Sequence, residues 1–167
     1  MADDINMSTH SSIIFDGRML IVIIIILLFN FGLLVLGGFM AGFHIKNYDY
    51  EININKYWWV VVLSPSIILI LIICMFSSSQ NYGFYRIARI IFLFLLISYV
   101  ITAIIMTSLF LKEVKLKDNI DYPYAKDVIS TTKWMLVFLC IILFLLFVYI
   151  YVYRVIINEL PKSIVNR

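Results

Sequence analysis

Long apolar stretches separated by short polar segments run through the whole chain. A helix needs about 20 mostly apolar residues to cross the roughly 30 Å hydrocarbon core of a bilayer. Four stretches meet that length: 19–43, 57–76, 90–111 and 134–153, with 25, 20, 22 and 20 residues. None of them contains Asp, Glu, Lys, Arg or His. The pattern therefore predicts four membrane-spanning helices.

The same pattern excludes a membrane β-barrel. Barrel strands alternate lipid-facing and lumen-facing residues over about 10 positions, whereas runs such as 21–29 and 67–75 do not alternate. Short connections favour antiparallel neighbouring helices. We therefore expect an all-α fold, a single four-helix transmembrane domain over 1–167 with short loops, the longest at 112–133, and with both termini on the same side.

Composition narrows the class of protein further. The chain is 63% hydrophobic and 14% charged, with a formal net charge of +3 and a mean hydropathy of +1.02. Soluble domains carry about 45–50% apolar and about 25% charged residues. These values argue against a soluble enzyme, a nucleic-acid-binding protein or a disordered chain, and they predict membrane lipids as partners and no nucleic acid.

Charge in the loops bears on orientation. The side that holds both termini carries six Lys and Arg residues and the other side carries seven, so the positive-inside rule gives a tie. The predicted loop 77–89 is basic and has no acidic residue, which favours cytosolic termini. An endomembrane or plasma membrane is favoured, with an organelle inner membrane or a viral envelope left open.

Small residues repeat at helical spacing in two of the predicted spans. In the first span the pairs are Gly38 with Gly42, a GxxxG motif, and Gly37 with Ala41. In the third span the pairs are Ser98 with Thr102 and Ala103 with Thr107. Residues four apart share one helix face, and small side chains there let a second backbone approach closely. We expect these faces to pack helices, more often within one chain than between chains.

Two other features of the spans have structural interpretations. Pro65 removes a backbone hydrogen bond inside the second span and predicts a kink, and the flanking Ser64 and Ser66 can satisfy the freed carbonyls. Asn30 is the only side-chain amide within the spans. We expect it to hydrogen-bond across helices.

Aromatic residues and cysteines add positional information. Trp58, Trp59 and Trp134 begin the second and fourth spans, where amphipathic rings anchor a helix at the membrane interface. Cys74 lies near the end of the second span, where S-palmitoylation is a candidate modification. A buried thiol acting as a small hydrophobe is the alternative for both Cys74 and Cys140.

Catalytic and coupling chemistry has no visible basis in the chain. Pumps and transporters usually place ionisable groups at mid-membrane, and the spans have none. The two histidines fall on opposite sides of the predicted membrane, and no paired Cys/His spacing or Gly-rich phosphate loop is present. We predict no catalytic residues, no metal site and no cofactor, and hence not an enzyme.

One segment carries a family resemblance. The run from Lys56 to Pro65, Lys-Tyr-Trp-Trp-Val-Val-Val-Leu-Ser-Pro, resembles the tryptophan-to-proline segment that opens a span in small four-helix membrane proteins of the fragile-X-F type. The resemblance implies a non-enzymatic endomembrane protein. The four-span architecture alone is also similar to that of MARVEL-like tetraspans.

The sequence therefore predicts a non-enzymatic multi-pass membrane protein that acts as a scaffold or accessory subunit of a larger membrane protein complex. Its partners would be other membrane protein subunits. The alternative is a small channel or lipid-permeation protein that uses the Pro65 kink and the Ser98 and Thr102 hydroxyls.

Overall fold

The protein is all-helical over the residues that its structure describes. The computed structural model describes residues 17–46, 55–76, 82–116 and 124–165, and each of these except Tyr124 is helical. Within these ranges α1 is Gly17–Lys46, α2 is Asn55–Phe76, α3 is Tyr82–Leu116 and α4 is Ala125–Val165. The prediction of an all-α fold is confirmed for this part of the chain.

Three of the described helices are long and apolar enough to cross a membrane. Their apolar stretches are Gly17–Phe43, Ala88–Val114 and Lys126–Ile156. In α2 the described apolar stretch is shorter, Trp59–Met75, about 25 Å at a rise of 1.5 Å per residue. That falls below a hydrocarbon core of roughly 30 Å. The described residues therefore show three helices long and apolar enough to span a membrane and do not confirm a fourth.

Helices extend beyond the predicted span ends and shorten the loops. The predicted loop 112–133 is helical up to Leu116 and again from Ala125, and the predicted tail 154–167 is helical up to Val165. Lys, Glu and Leu dominate 112–116, and these are good helix formers that need no membrane around them. Hydropathy marks where a helix enters lipid, which differs from where its backbone hydrogen bonds end.

Buried positions follow a spacing of alternately three and four residues. On α3 they are Leu96, Val100, Ala103, Thr107, Phe110 and Val114, and on the first half of α4 they are Val128, Thr132, Met135, Leu139 and Ile142. An average spacing of 3.5 residues is the seam of left-handed helix packing, with crossing angles near 20°. Each of these helices therefore presents one narrow face to its neighbours and the rest to the surroundings.

The chain divides into two compact units. One comprises 1–28 and 144–167, and the other comprises 29–143. In the described part of the first unit, the start of α1 buries Met19, Val22 and Ile26, and the second half of α4 buries Leu146 and Tyr149.

The second unit contains parts of all four described helices, and α2 packs along α3 in it. The Phe43 ring stacks on Tyr124 with ring centroids 6.0 Å apart, and Thr132 Oγ1 lies 3.9 Å from Met40 Sδ. Within this unit the end of α1 therefore lies beside the start of α4, and the two helix segments are antiparallel.

Candidate functional site

Two neighbouring glycines of α1 have opposite surroundings. Gly37 is buried, and a Cβ added there would lie 3.3 Å from the Val62 carbonyl oxygen and 3.5 Å from Pro65 Cγ. Gly38 is exposed and Gly42 half-buried, and nothing lies within 4 Å of a Cβ added at either position. Gly37 thus forms the close crossing of α1 and α2. No described residue of this chain packs against a Cβ at Gly38 or Gly42, so their predicted role in helix packing stays a prediction.

The small residues of α3 divide in the same way. Ala103 and Thr107 are fully buried, whereas Ser98 and Thr102 are exposed. The Thr102 hydroxyl donates to the Ser98 carbonyl at 2.9 Å, so this polar group is satisfied within its own helix. One residue turns a side chain by about 100° around the helix axis. Of the two pairs of small residues on α3, only Ala103 and Thr107 lie on the face that packs inside the protein.

The exposed face of α1 is the candidate interaction site. Ala41 and Gly42 are half-buried, and Gly38 is open to the surroundings. Val35 and Phe39 stand outward beside the glycines, so their side chains flank a shallow strip of bare backbone. A second transmembrane helix could approach this strip closely without displacing a side chain.

A third glycine, which belongs to none of the small-residue pairs, makes the tightest contact. A Cβ added to Gly32 would overlap Cε2 of Phe138 on α4 and lie 3.1 Å from Cδ2. The Phe29 ring meets Phe138 edge-on with centroids 5.4 Å apart, and Trp134 meets it at 6.5 Å. No glycine or alanine lies four residues from Gly32, so a search for paired small residues passes over it.

Pro65 and Ser64 act together in α2. Proline has no N–H, so the carbonyl four residues earlier, at Val61, loses its helical donor. The Ser64 hydroxyl donates to that carbonyl at 3.1 Å, and both Ser64 and Pro65 are buried. The expectation that a flanking serine satisfies the freed carbonyl is confirmed for Ser64. Ser66 is exposed.

Two buried polar side chains in the second unit have no protein partner among the described residues. Asn30 is 1% exposed and Thr107 is 0% exposed. The Asn30 amide nitrogen and oxygen and the Thr107 hydroxyl form no hydrogen bond there. The expected hydrogen bond from Asn30 to another helix is therefore absent within the described structure. An amide or hydroxyl buried without compensation costs about 1–3 kcal/mol in proteins.

The remaining predicted residues lie at the periphery. Trp59 and Trp134 are exposed, and the side chain of Trp58 lies outside the described residues. Their role as interface anchors stays a prediction. Cys74 is half-buried and Cys140 is exposed, so the buried-thiol alternative is wrong for Cys140. Lipidation of Cys74 stays a prediction.

Arg89 differs from its sequence assignment. It was expected in the loop 77–89, but α3 begins at Tyr82, and Arg89 is only 7% exposed. Arg89 is buried near the start of the apolar stretch Ala88–Val114 of α3. Hydropathy alone assigns it to the polar segment that precedes this stretch.

The described residues were also compared with the arrangements that metal sites require. Among these residues no group of three or more His, Cys, Asp or Glu side chains is arranged to hold a metal ion. The chain matches no protein-family model, no curated protein and no solved structure.

Proposed function

We propose that this protein is a non-enzymatic, multi-pass membrane protein that acts as a scaffold or accessory subunit of a larger membrane protein complex. The observation that carries the proposal is the outward GxxxG face of α1. Gly38 and Gly42 have no neighbour within 4 Å of an added Cβ, so no helix of this chain occupies the strip among the described residues.

The proposal includes four membrane crossings with both termini on one side. Helix α2 has 22 residues, or about 33 Å at 1.5 Å per residue, which is long enough to cross if its ends reach the interface. Its outward Leu63, Ile70 and Ile73 are exposed, and lipid would cover them. The antiparallel pairing of α1 and α4 also supports termini on one side.

Helix association within lipid depends on close packing. Lipid tails are as apolar as leucine, so two helices gain little from hiding apolar surface from lipid and associate where their backbones can approach. On α1 that condition is met outward at Gly38 and inward at Gly37. The inward position is occupied by α2, which leaves the outward one for another membrane protein subunit.

The test compares Gly38→Leu with Cys140→Leu. Both substitutions place a leucine at an exposed position, one on the glycine strip and one on α4. We expect wild type and Cys140→Leu, extracted from the native membrane in mild detergent, to travel in a stoichiometric complex well above the 19.6 kDa of one chain. Gly38→Leu should fold equally well and lose the partners. A monomeric wild type, or a Gly38→Leu complex of unchanged mass, would refute the proposal.

The rival function is a small channel or lipid-permeation protein. The Ser98 and Thr102 hydroxyls invoked for it are exposed on the outside of α3, which removes them from any path inside the described helices. The buried Asn30 and Thr107 are the remaining observation in its favour. Reproducible selective conductance of the pure protein in voltage-clamped bilayers would favour the channel.

The resemblance of the Lys56–Pro65 segment bears on which membrane holds the proposed subunit. Similarity to the fragile-X-F type supports an endomembrane site for the proposed subunit, and fractionation of the native cell would test it.

A further inference from the structure

The second unit buries polar atoms that its own packing does not use. Asn30 lies on the buried face of α1 and Thr107 on the buried face of α3. The polar atoms of both side chains have no hydrogen-bond partner in the described part of the chain. Such groups are rare in folded proteins, and an ordered water or ligand is the usual explanation.

Thr107 behaves differently from Thr102 and Ser108, two other hydroxyl residues of its helix. Thr102 donates to the carbonyl four residues earlier at 2.9 Å, and Ser108 does so at 2.8 Å. On α4 the buried Thr132 makes the same bond at 2.7 Å. This local bond is the ordinary way for a hydroxyl to be satisfied in a membrane helix. The Thr107 hydroxyl does not make it, so its donor is available to a group from outside the helix.

Position restricts what that group can be. Asn30 lies midway along the apolar stretch Gly17–Phe43, about 20 Å from either end, beyond the reach of lipid headgroups. Large side chains fill the faces around both polar residues, with Leu33 on α1 and Leu96 and Phe110 on α3 fully buried. An amide offers two donors and an acceptor oxygen. A neutral, very small molecule that both donates and accepts fits these conditions.

We propose that the unit 29–143 holds internal water bound to the Asn30 amide and the Thr107 hydroxyl. Water would reach Thr107 from the end of α3, which lies nine residues away at Leu116. The inference is independent of the proposed function, because a scaffold subunit and a channel can both be hydrated inside.

The first experiment uses the unmodified protein in lipid bilayers. Water-edited solid-state NMR measures how fast magnetisation passes from mobile water to each side chain. We expect transfer to Asn30 and Thr107 to be fast, as at exposed Lys133, and transfer to the equally buried Leu33 and Val100 to be slow. The proposal fails if either Asn30 or Thr107 is as slow as Leu33 and Val100.

A second experiment measures access by chemistry. In a chain with Cys74 and Cys140 replaced by alanine, Thr107→Cys is compared with Val100→Cys, seven residues earlier on the same buried face of α3. A small charged methanethiosulfonate needs water and a thiolate to react. We expect Thr107→Cys to be modified about tenfold faster than Val100→Cys, and Asn30→Leu in the same chain to slow it. Equal rates for the two cysteines would overturn the proposal.

Discussion

Gly32→Ala tests the packing of the second unit most directly. The added methyl would overlap Cε2 of Phe138 and lie 3.1 Å from Cδ2. The Phe29 and Trp134 rings meet the Phe138 ring edge-on, with centroids 5.4 and 6.5 Å away, and restrict how it can turn away. Either the ring or the backbone of α1 must therefore shift.

The expected loss of stability is obtained by comparing Gly32 with Gly38. Overpacking a well-filled site costs about 1–3 kcal/mol, while replacing glycine by alanine in a helix gains about 1 kcal/mol. Gly38→Ala has the same gain and no clash, because nothing lies within 4 Å. We expect Gly32→Ala to be about 1–3 kcal/mol less stable than Gly38→Ala. Gly37→Ala, 3.3 Å from the Val62 carbonyl oxygen, should fall between them.

The assay is reversible unfolding of the purified protein in bicelles, by steric trapping or by titration with SDS. A difference of about 1.4 kcal/mol is a tenfold change in the unfolding equilibrium, which both methods resolve. Phe138→Leu should reduce the cost of Gly32→Ala, since it removes the clashing ring atoms. Equal stability of Gly32→Ala and Gly38→Ala would refute the packing of α1 against α4 at this position.

Two further outcomes can be measured in the same assay. Ser64→Ala should destabilise by about 0.5–1.5 kcal/mol by removing the donor to the carbonyl that Pro65 frees. The exposed Ser66→Ala should have no effect, and a Ser64→Ala cost that persists unchanged in a Pro65→Ala background would contradict this account. Phe43→Ala should cost about 0.5–1.5 kcal/mol beyond lost burial, the contribution of an aromatic pair. Tyr124→Phe, which keeps the stacked ring, should cost less than Tyr124→Ala, and equal losses for these two variants would argue against stacking.

Tyr124 shows a local feature that the pattern of residues did not reveal. Its φ of 70° is in the left-handed region, uncommon for a bulky side chain. Its carbonyl accepts the Val128 N–H at 2.9 Å, which starts α4, and its ring rests on Phe43. That ring contact joins residues 81 positions apart, so no local window of sequence contains it.

The sequence predicted the helices and their approximate positions, because lipid leaves a backbone few ways to satisfy its hydrogen bonds. It also showed that the predicted spans contain no ionisable group. The Ser64 bond beside Pro65 was also predictable, since donor, freed carbonyl and proline lie within one helical turn. Helix ends were less predictable. Helices α3 and α4 continue past the apolar stretches into polar sequence, where hydropathy no longer indicates whether the backbone is helical.

The face that each helix buries was decided by the tertiary structure alone. Gly37 and Gly38 are adjacent and identical, yet one contacts α2 and the other faces outward. In a soluble protein the polar side of a helix marks its outer face. Here lipid is as apolar as the interior, so hydrophobic periodicity does not indicate which face of a helix points inward. The burial of Gly37 and Thr107 and the contact of Gly32 with Phe138 depend on which backbones fit together.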